Sequence, residues 1–336
     1  MTSPEPHRPI IGVVGCGVTG SRVVAHLAAE GARVAVFDQA RSVASATARR
    51  VKGIVLDRVN ELTACDVVVL CQPAPHLDLA GWLVDEHTAV VSMGDDLDDV
   101  RVLLALHDRA ARGGVPLVVG AGMAPGLSGL LARYLAPHLA IVDELHVAIH
   151  GTAGPACARQ HHDALGRTAL GWHDGEWIEP PGGSGRDLVW FPEPVQAHDC
   201  YRAALADPLL LQRAFPGALR ITSRVSATRR DRLTARLPML TPPHATGDLG
   251  AVRVELRGAA AGGERITVIA GAAAPTADLA AAVVAATALQ VAITRLAPGA
   301  HSLADASVAA LELLHHATRL GVRVQEFTGV GRATGW

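Results

Sequence analysis

The chain has 336 residues, 49% hydrophobic and 18% charged, and its 30 basic and 32 acidic residues leave a formal net charge of -2. So high an apolar fraction excludes a disordered chain, and without a basic excess a nucleic acid or anionic membrane has no electrostatic support as a partner. The length suggests two domains, because single hydrophobic cores stop growing at about 250–300 residues.

In chain order, the opening Met1 to Pro9 lacks the apolar run of a signal peptide. Buried strands are predicted at 10–14, 33–37, 53–56, 66–71, 88–92 and 116–119, with helical spacing at 18–30, 40–51, 76–84 and 97–112. The strand runs are continuously apolar rather than alternating, so both faces are covered. The expectation is an α/β fold with a Rossmann-type, doubly wound parallel sheet. After a helix at 127–135 the rhythm changes. Strands at 144–150, 188–191, 219–225, 251–256 and 265–270 surround a segment rich in Gly, Pro, Trp and His. They read as a second, α+β domain with a mostly antiparallel sheet. Helices at 277–296 and 307–320 and a last strand at 322–327 follow. The domain expectation is therefore 1–135 for dinucleotide binding, 136–275 for substrate and dimerisation, and 276–336 returning to the first domain. The apolar stretch 279–293 is shorter than the ~20 residues of a membrane span, and its alanines suggest close helix packing, including packing across a homodimer. Cys16, Cys65, Cys71, Cys157 and Cys200 are scattered with no C-x-x-C pair, as expected for a reduced, cytoplasmic protein.

Gly15-Cys16-Gly17-Val18-Thr19-Gly20 follows the first strand and opens a helix. Gly15 permits the tight turn, Gly17 lets backbone amides approach a pyrophosphate, and Gly20 lets helix and strand pack closely. The anion then meets the unpaired N–H groups of the helix start. Asp38, at the end of the second strand, is placed to bond ribose hydroxyls, which favours NAD. Arg41 offers either a stack on adenine or a partner for the extra phosphate of NADP. The cofactor expectation is NAD or NADP, with NAD preferred. Gln72-Pro73 after the fourth strand and Ser92-Met93-Gly94-Asp95 after the fifth stand where such sheets bind ligands.

Gly122-Met123-Ala124-Pro125-Gly126-Leu127, after the sixth strand, is similar to the Gly-x-Asp-Pro-Gly segment of saccharopine dehydrogenase-like oxidoreductases. With the amino-terminal fingerprint and the inserted α+β domain, the chain resembles that family throughout, most specifically over 8–135. The resemblance implies a nicotinamide cofactor, with Gly122 beside it, and a substrate near Met123 between the domains. It also implies chemistry that joins or separates an amino acid and an oxo acid through an imine, or reduces a related carbonyl or imine. Ala124 replaces the family's aspartate. Lys52, the only lysine, precedes the third strand, far from where a family lysine would act.

Hydride transfer needs a partner that gives or takes a proton, and histidine suits best near neutral pH. Two constellations are candidates. In Cys157-Ala158-Arg159-Gln160-His161-His162-Asp163 the adjacent histidines point to different faces, so at most one reaches the cleft; Arg159 could clamp a substrate carboxylate. In Trp190 to Arg202, His198 or Tyr201 could act on a proton and Arg202 could bind an anion. Both stretches also read as ordinary structure, surface histidines in one and a strand with a helix cap in the other. No metal is expected: His146 and His150 are i, i+4 in a strand, ~13 Å apart, and adjacent His315 and His316 share no helix face. The expected function is an NAD(P)-dependent oxidoreductase acting on a small imine, carbonyl or amino-acid-type molecule. The alternatives are a non-catalytic dinucleotide-binding sensor and an enzyme that retains its nicotinamide for redox-neutral chemistry.

Overall fold

The computed structural model describes residues 8–239, 244–294 and 296–327, so the segment read for targeting, Met1 to His7, lies outside it. The chain begins as alternating strands and helices: β1 (Ile10–Val14), α1 (Val18–Ala29), β2 (Arg33–Phe37), α2 (Arg41–Val51), β3 (Ile54–Val55), β4 (Val67–Leu70), α3 (Leu77–Asp85), β5 (Ala89–Ser92), α4 (Leu97–Leu104), α5 (His107–Gly113) and β6 (Pro116–Val119). Helix α6 (Leu127–Leu135) closes this half.

The second half runs β7 (Ile141–His150), α7 (Pro155–Gly166), β8 (Gly171–His173), β9 (Glu176–Ile178), β10 (Asp187–Trp190), β11 (Ala197–Tyr201), α8 (Asp207–Ala214), β12 (Arg220–Ser226), α9 (Arg229–Thr234), β13 (Leu249–Ala259) and β14 (Arg265–Pro275). Helix α10 (Thr276–Ile293), β15 (Gly299–His301), α11 (Ala310–Arg319) and β16 (Val324–Glu326) end it.

The first sheet is parallel in the order β15-β6-β5-β4-β1-β2-β3. Its central strands are buried along their whole length, as continuous Val and Leu runs require when helices cover both faces. The order reverses between β1 and β4, which places a ligand crevice at the carboxyl ends of these two strands. The seventh strand, β15, is absent from the sequence expectation; three residues carry too little pattern to stand out. The expected helix at 97–112 is two, α4 and α5, broken around Ala105 and Leu106.

The second sheet runs β10-β11-β12-β7-β13-β14-β16, with β8 and β9 attached through β12. Its pairings are antiparallel except β12 with β7. Residues 197–201 form strand β11 rather than a helix cap at Asp199. Helix α10 is long and apolar enough to cross a membrane, but 72% of it is buried inside the protein, where it packs on α1, α11 and the first sheet. Its alanines therefore serve close packing within the chain, and they give no argument for a dimer.

Candidate functional site

The dinucleotide turn forms as its glycines require. Gly15 has φ of +89°, and a Cβ there would stand 2.6 Å from the backbone nitrogen of Gln72. A Cβ on Gly20 would stand 1.9 Å from the carbonyl oxygen of Gly15, so only glycine lets α1 close on the turn. Gly17 is different: it is exposed, and a Cβ there would meet no atom of the described residues within 4 Å. The space a pyrophosphate needs is therefore open in front of the helix start. Cys16, Thr19 and Gly20 are buried in the turn, with Val18 half-buried. The Asp38 carboxylate accepts from the Cys16 amide (2.8 Å) and the Ala40 amide (2.8 Å), which fixes it beside the turn. Arg41 is exposed and paired with Asp57, so its charge is already engaged.

At the end of β4, Gln72 is half-buried and its Oε1 has no partner among the described residues, while Pro73 is exposed. Ser92, at the end of β5, is buried: its hydroxyl lies 2.8 Å from Nδ1 of the fully buried His76. His76 is held in turn through its amide by Asp99 and through Nε2 by the Gln72 carbonyl. This network shapes the floor of the crevice. Gly122 accepts from the Leu127 amide through its carbonyl, and Met123 and Ala124 are buried beside it.

Helix α7 brings the second domain to these strand ends. Gly154 precedes it, and a Cβ there would stand 3.0 Å from Val18, so the absence of a side chain lets the two domains meet at the dinucleotide turn. Pro155 occupies the first helical turn, where its missing N–H costs nothing. Four polar links then dock α7 and Arg167, the residue after it, on the loop after β5 and the first turn of α4. Gln160 donates to Asp95 Oδ1 at 2.7 Å, and His161 Nε2 lies 3.3 Å from Asp95 Oδ2. Arg167 donates to Asp96 at 2.7 Å and also pairs with Asp98. Burial works to raise the Asp96 pKa, but the Asp99 amide and Arg167 outweigh it and hold the carboxylate low.

His161 is the buried member of the cluster, at 7% exposure, and its Nε2 also faces Cys157 Sγ at 3.8 Å. Burial alone would lower its pKa; Cys157 and Asp95 outweigh burial and raise it well above the ordinary value. Its Nδ1 has no partner among the described residues. A second buried acid stands close by. Asp207, at the start of α8, accepts from Ser128 Oγ at 2.5 Å, and its other oxygen has no partner among the described residues. Burial pushes it up to about 6.

Of the residues expected from sequence, the fold gathers the dinucleotide turn, Asp38, the loops ending in Gln72 and Asp95, and His161 along one row of strand ends. It places the others elsewhere. His162 faces away from His161 and bonds the carbonyls of Thr234 and Leu237. Arg159 is exposed on α7. His198 stacks on His150 at 4.0 Å between ring centroids, on the second sheet. Tyr201 is buried in the core beneath Arg232. Arg202 lines a cavity of about 570 Å³ on the second sheet, with Arg220, Arg224 and Arg253; no residue of the dinucleotide turn lines it. Sequence reasoning gave no role to Gln160, Ser128 or Asp207, and spacing gave no metal cluster. The structure nevertheless brings Asp95, Cys157 and His161 within 4.8 Å of one another. The usable signal is Gly154-Pro155: as a helix start, it puts Cys157 and His161 at i, i+4 on one face.

Residues 10–80 match the model of the NAD-binding domain of 6-phosphogluconate dehydrogenase. Together with the sheet order and the turn, this defines a two-domain protein with a Rossmann-type, NAD-binding amino-terminal domain. Its architecture is similar to that of saccharopine dehydrogenase (L-Glu forming) from Saccharomyces cerevisiae, with a TM-score of 0.72 at 14% identity over 95% of this chain and 100% of that one. Weaker likenesses are GenD2 from gentamicin A biosynthesis in complex with NAD (TM-score 0.45, 16% identity, 97% of this chain and 98% of that one) and a meso-dapdh mutant from Clostridium tetani E88 (0.49, 13%, 88% and 93%). No curated protein sequence matches the chain. The fold implied by the family resemblance is thus the fold found.

Proposed function

We propose that the protein is an NAD(P)-dependent oxidoreductase acting on a small imine, carbonyl or amino-acid-type substrate between its two domains. The observation that carries this reading is spatial. The open cradle at Gly17 and the Asp95–His161 pair lie along the same row of strand ends, on either side of the point where the strand order reverses. The turn from Gly15 to Gly20 and Asp38 would hold the dinucleotide. When bound, the nicotinamide supplies or accepts the hydride.

The remaining work falls to this chain's residues. His161, held at Nε2 by Asp95, is the imidazole placed to exchange a proton with the substrate oxygen or nitrogen. Asp95 orients the ring, and Gln160 orients Asp95. With Asp38 presenting a negative charge and Arg41 taken by Asp57, NAD is the preferred cofactor. His161→Ala is expected to lower turnover by ~10²–10⁴-fold while leaving NADH affinity intact, the size of a lost acid–base group. Full activity in that variant, against a panel of imines and oxo acids, would remove His161 from the mechanism. Ala124, in place of an aspartate, favours a second reading as a dinucleotide sensor. Such a protein would bind NADH and oxidise none of it in a single-turnover mixture.

A further inference from the structure

We propose that Asp95, Cys157 and His161 form a binding site for one divalent transition-metal ion of the zinc class. A carboxylate oxygen, a thiol sulfur and an imidazole nitrogen lie within 4.8 Å of one another, supplied by a strand-end loop of one domain and a helix of the other. Two of the three donor spacings match a coordination polyhedron, and the third, sulfur to oxygen, is within 4.8 Å. With zinc–nitrogen and zinc–oxygen bonds of about 2.1 Å and a zinc–sulfur bond of about 2.3 Å, tetrahedral angles put nitrogen about 3.6 Å from sulfur and about 3.4 Å from oxygen. The distances from His161 Nε2 are 3.8 Å to Cys157 Sγ and 3.3 Å to Asp95 Oδ2.

The hydrogen bonding of the cluster points the same way. A single N–H on Nε2 faces two acceptors and cannot align with both, whereas an ion between the three atoms satisfies all of them. Asp95 is prepared for this role, since Gln160 occupies its Oδ1 and leaves Oδ2 to the ion. Cys157 and His161 share a face of α7 at i, i+4, so their separation is fixed by the helix. A thiolate with an imidazole selects zinc-like ions over magnesium or calcium, which prefer all-oxygen sites. The other thiols compete poorly: burial pushes Cys16 and Cys65 up to about 11 and Cys200 up to about 12, which disfavours their thiolates. Three protein donors leave a fourth tetrahedral position, as in catalytic rather than structural zinc sites. The inference rests on the reading of this cleft as the reacting centre. In it the metal-free protein offers the substrate heteroatom a proton on His161, and the loaded protein offers a cation at the same place.

The test is a titration of the chelator-treated full-length protein with Co²⁺, followed by absorption. One equivalent is expected to produce tetrahedral visible bands and a sulfur-to-cobalt charge-transfer band, both removed by Zn²⁺. Cys157→Ser should lose the charge-transfer band while keeping the wild-type circular dichroism. In the wild type, Zn²⁺ should slow maleimide labelling of Cys157 at least tenfold, as read by peptide mass mapping. No charge-transfer band, a band that persists in Cys157→Ser, or labelling indifferent to Zn²⁺ would each overturn the site. NADH binding, measured by fluorescence on the same samples, separates the two readings. Cobalt failure with intact NADH binding removes only the metal, and cobalt binding without NADH binding removes only the oxidoreductase.

Discussion

Asp207 gives the most quantitative expectation. It is 1% exposed, one oxygen takes the Ser128 hydroxyl and the other has no partner among the described residues, and burial lifts its pKa from an ordinary 3.8 to about 6. Between those values the folded protein holds a proton that the unfolded chain has already lost. The stability this group contributes is therefore full below pH 3.8, falls as pH rises, and is gone above about pH 6. At roughly 1.4 kcal/mol per pH unit, the gap between 3.8 and about 6 is worth about 3 kcal/mol. Asp207→Asn keeps the shape and the acceptor for Ser128 but cannot ionise. Relative to the wild type, the variant should thus gain about 2.5 kcal/mol between pH 4 and pH 7.5, most of the full gap. Urea unfolding of both proteins across that range, in the presence of chelator, reads the difference, and the comparison cancels the titration of other carboxylates. Parallel stability profiles would show that Asp207 is solvated or paired, and would refute the argument from burial.

Two further outcomes follow from the geometry. Gly17→Val places a side chain in open space, so it should leave thermal stability unchanged while weakening NADH binding by roughly 10–100-fold, measurable by fluorescence titration; unchanged affinity would mean the dinucleotide lies elsewhere. Arg167→Ala cuts two of the four links that dock α7. Because Arg167 is 38% exposed the loss should be only about 1 kcal/mol and should shrink in high salt, as read by unfolding at low and high ionic strength.

Much of the first domain was legible because its strands are continuous Val and Leu runs and its turn has a fixed glycine spacing. Burial on both faces leaves such strands no amphipathic alternative. Residues 299–301 were not legible, because a three-residue edge strand is defined by the partner β6 rather than by its own pattern. The start of helix α7 was read as solvated, since its polar face bonds to the other domain and so mimics a surface segment.

The sequence by itself determined a nearly neutral two-domain chain, its parallel sheet, and the turn at Gly15 to Gly20, because each rests on local periodicity or on one residue's conformational freedom. Tertiary structure alone decided which histidine matters. His161 and His162 are neighbours with the same intrinsic chemistry; α7 puts Cys157 on the face of His161, only the approach of α7 to the loop after β5 adds the Asp95 carboxylate, and His162 meets two backbone carbonyls instead. Asp95 and Cys157 are 62 residues apart, so no spacing rule reaches across the distance that folding closes to within 4.8 Å.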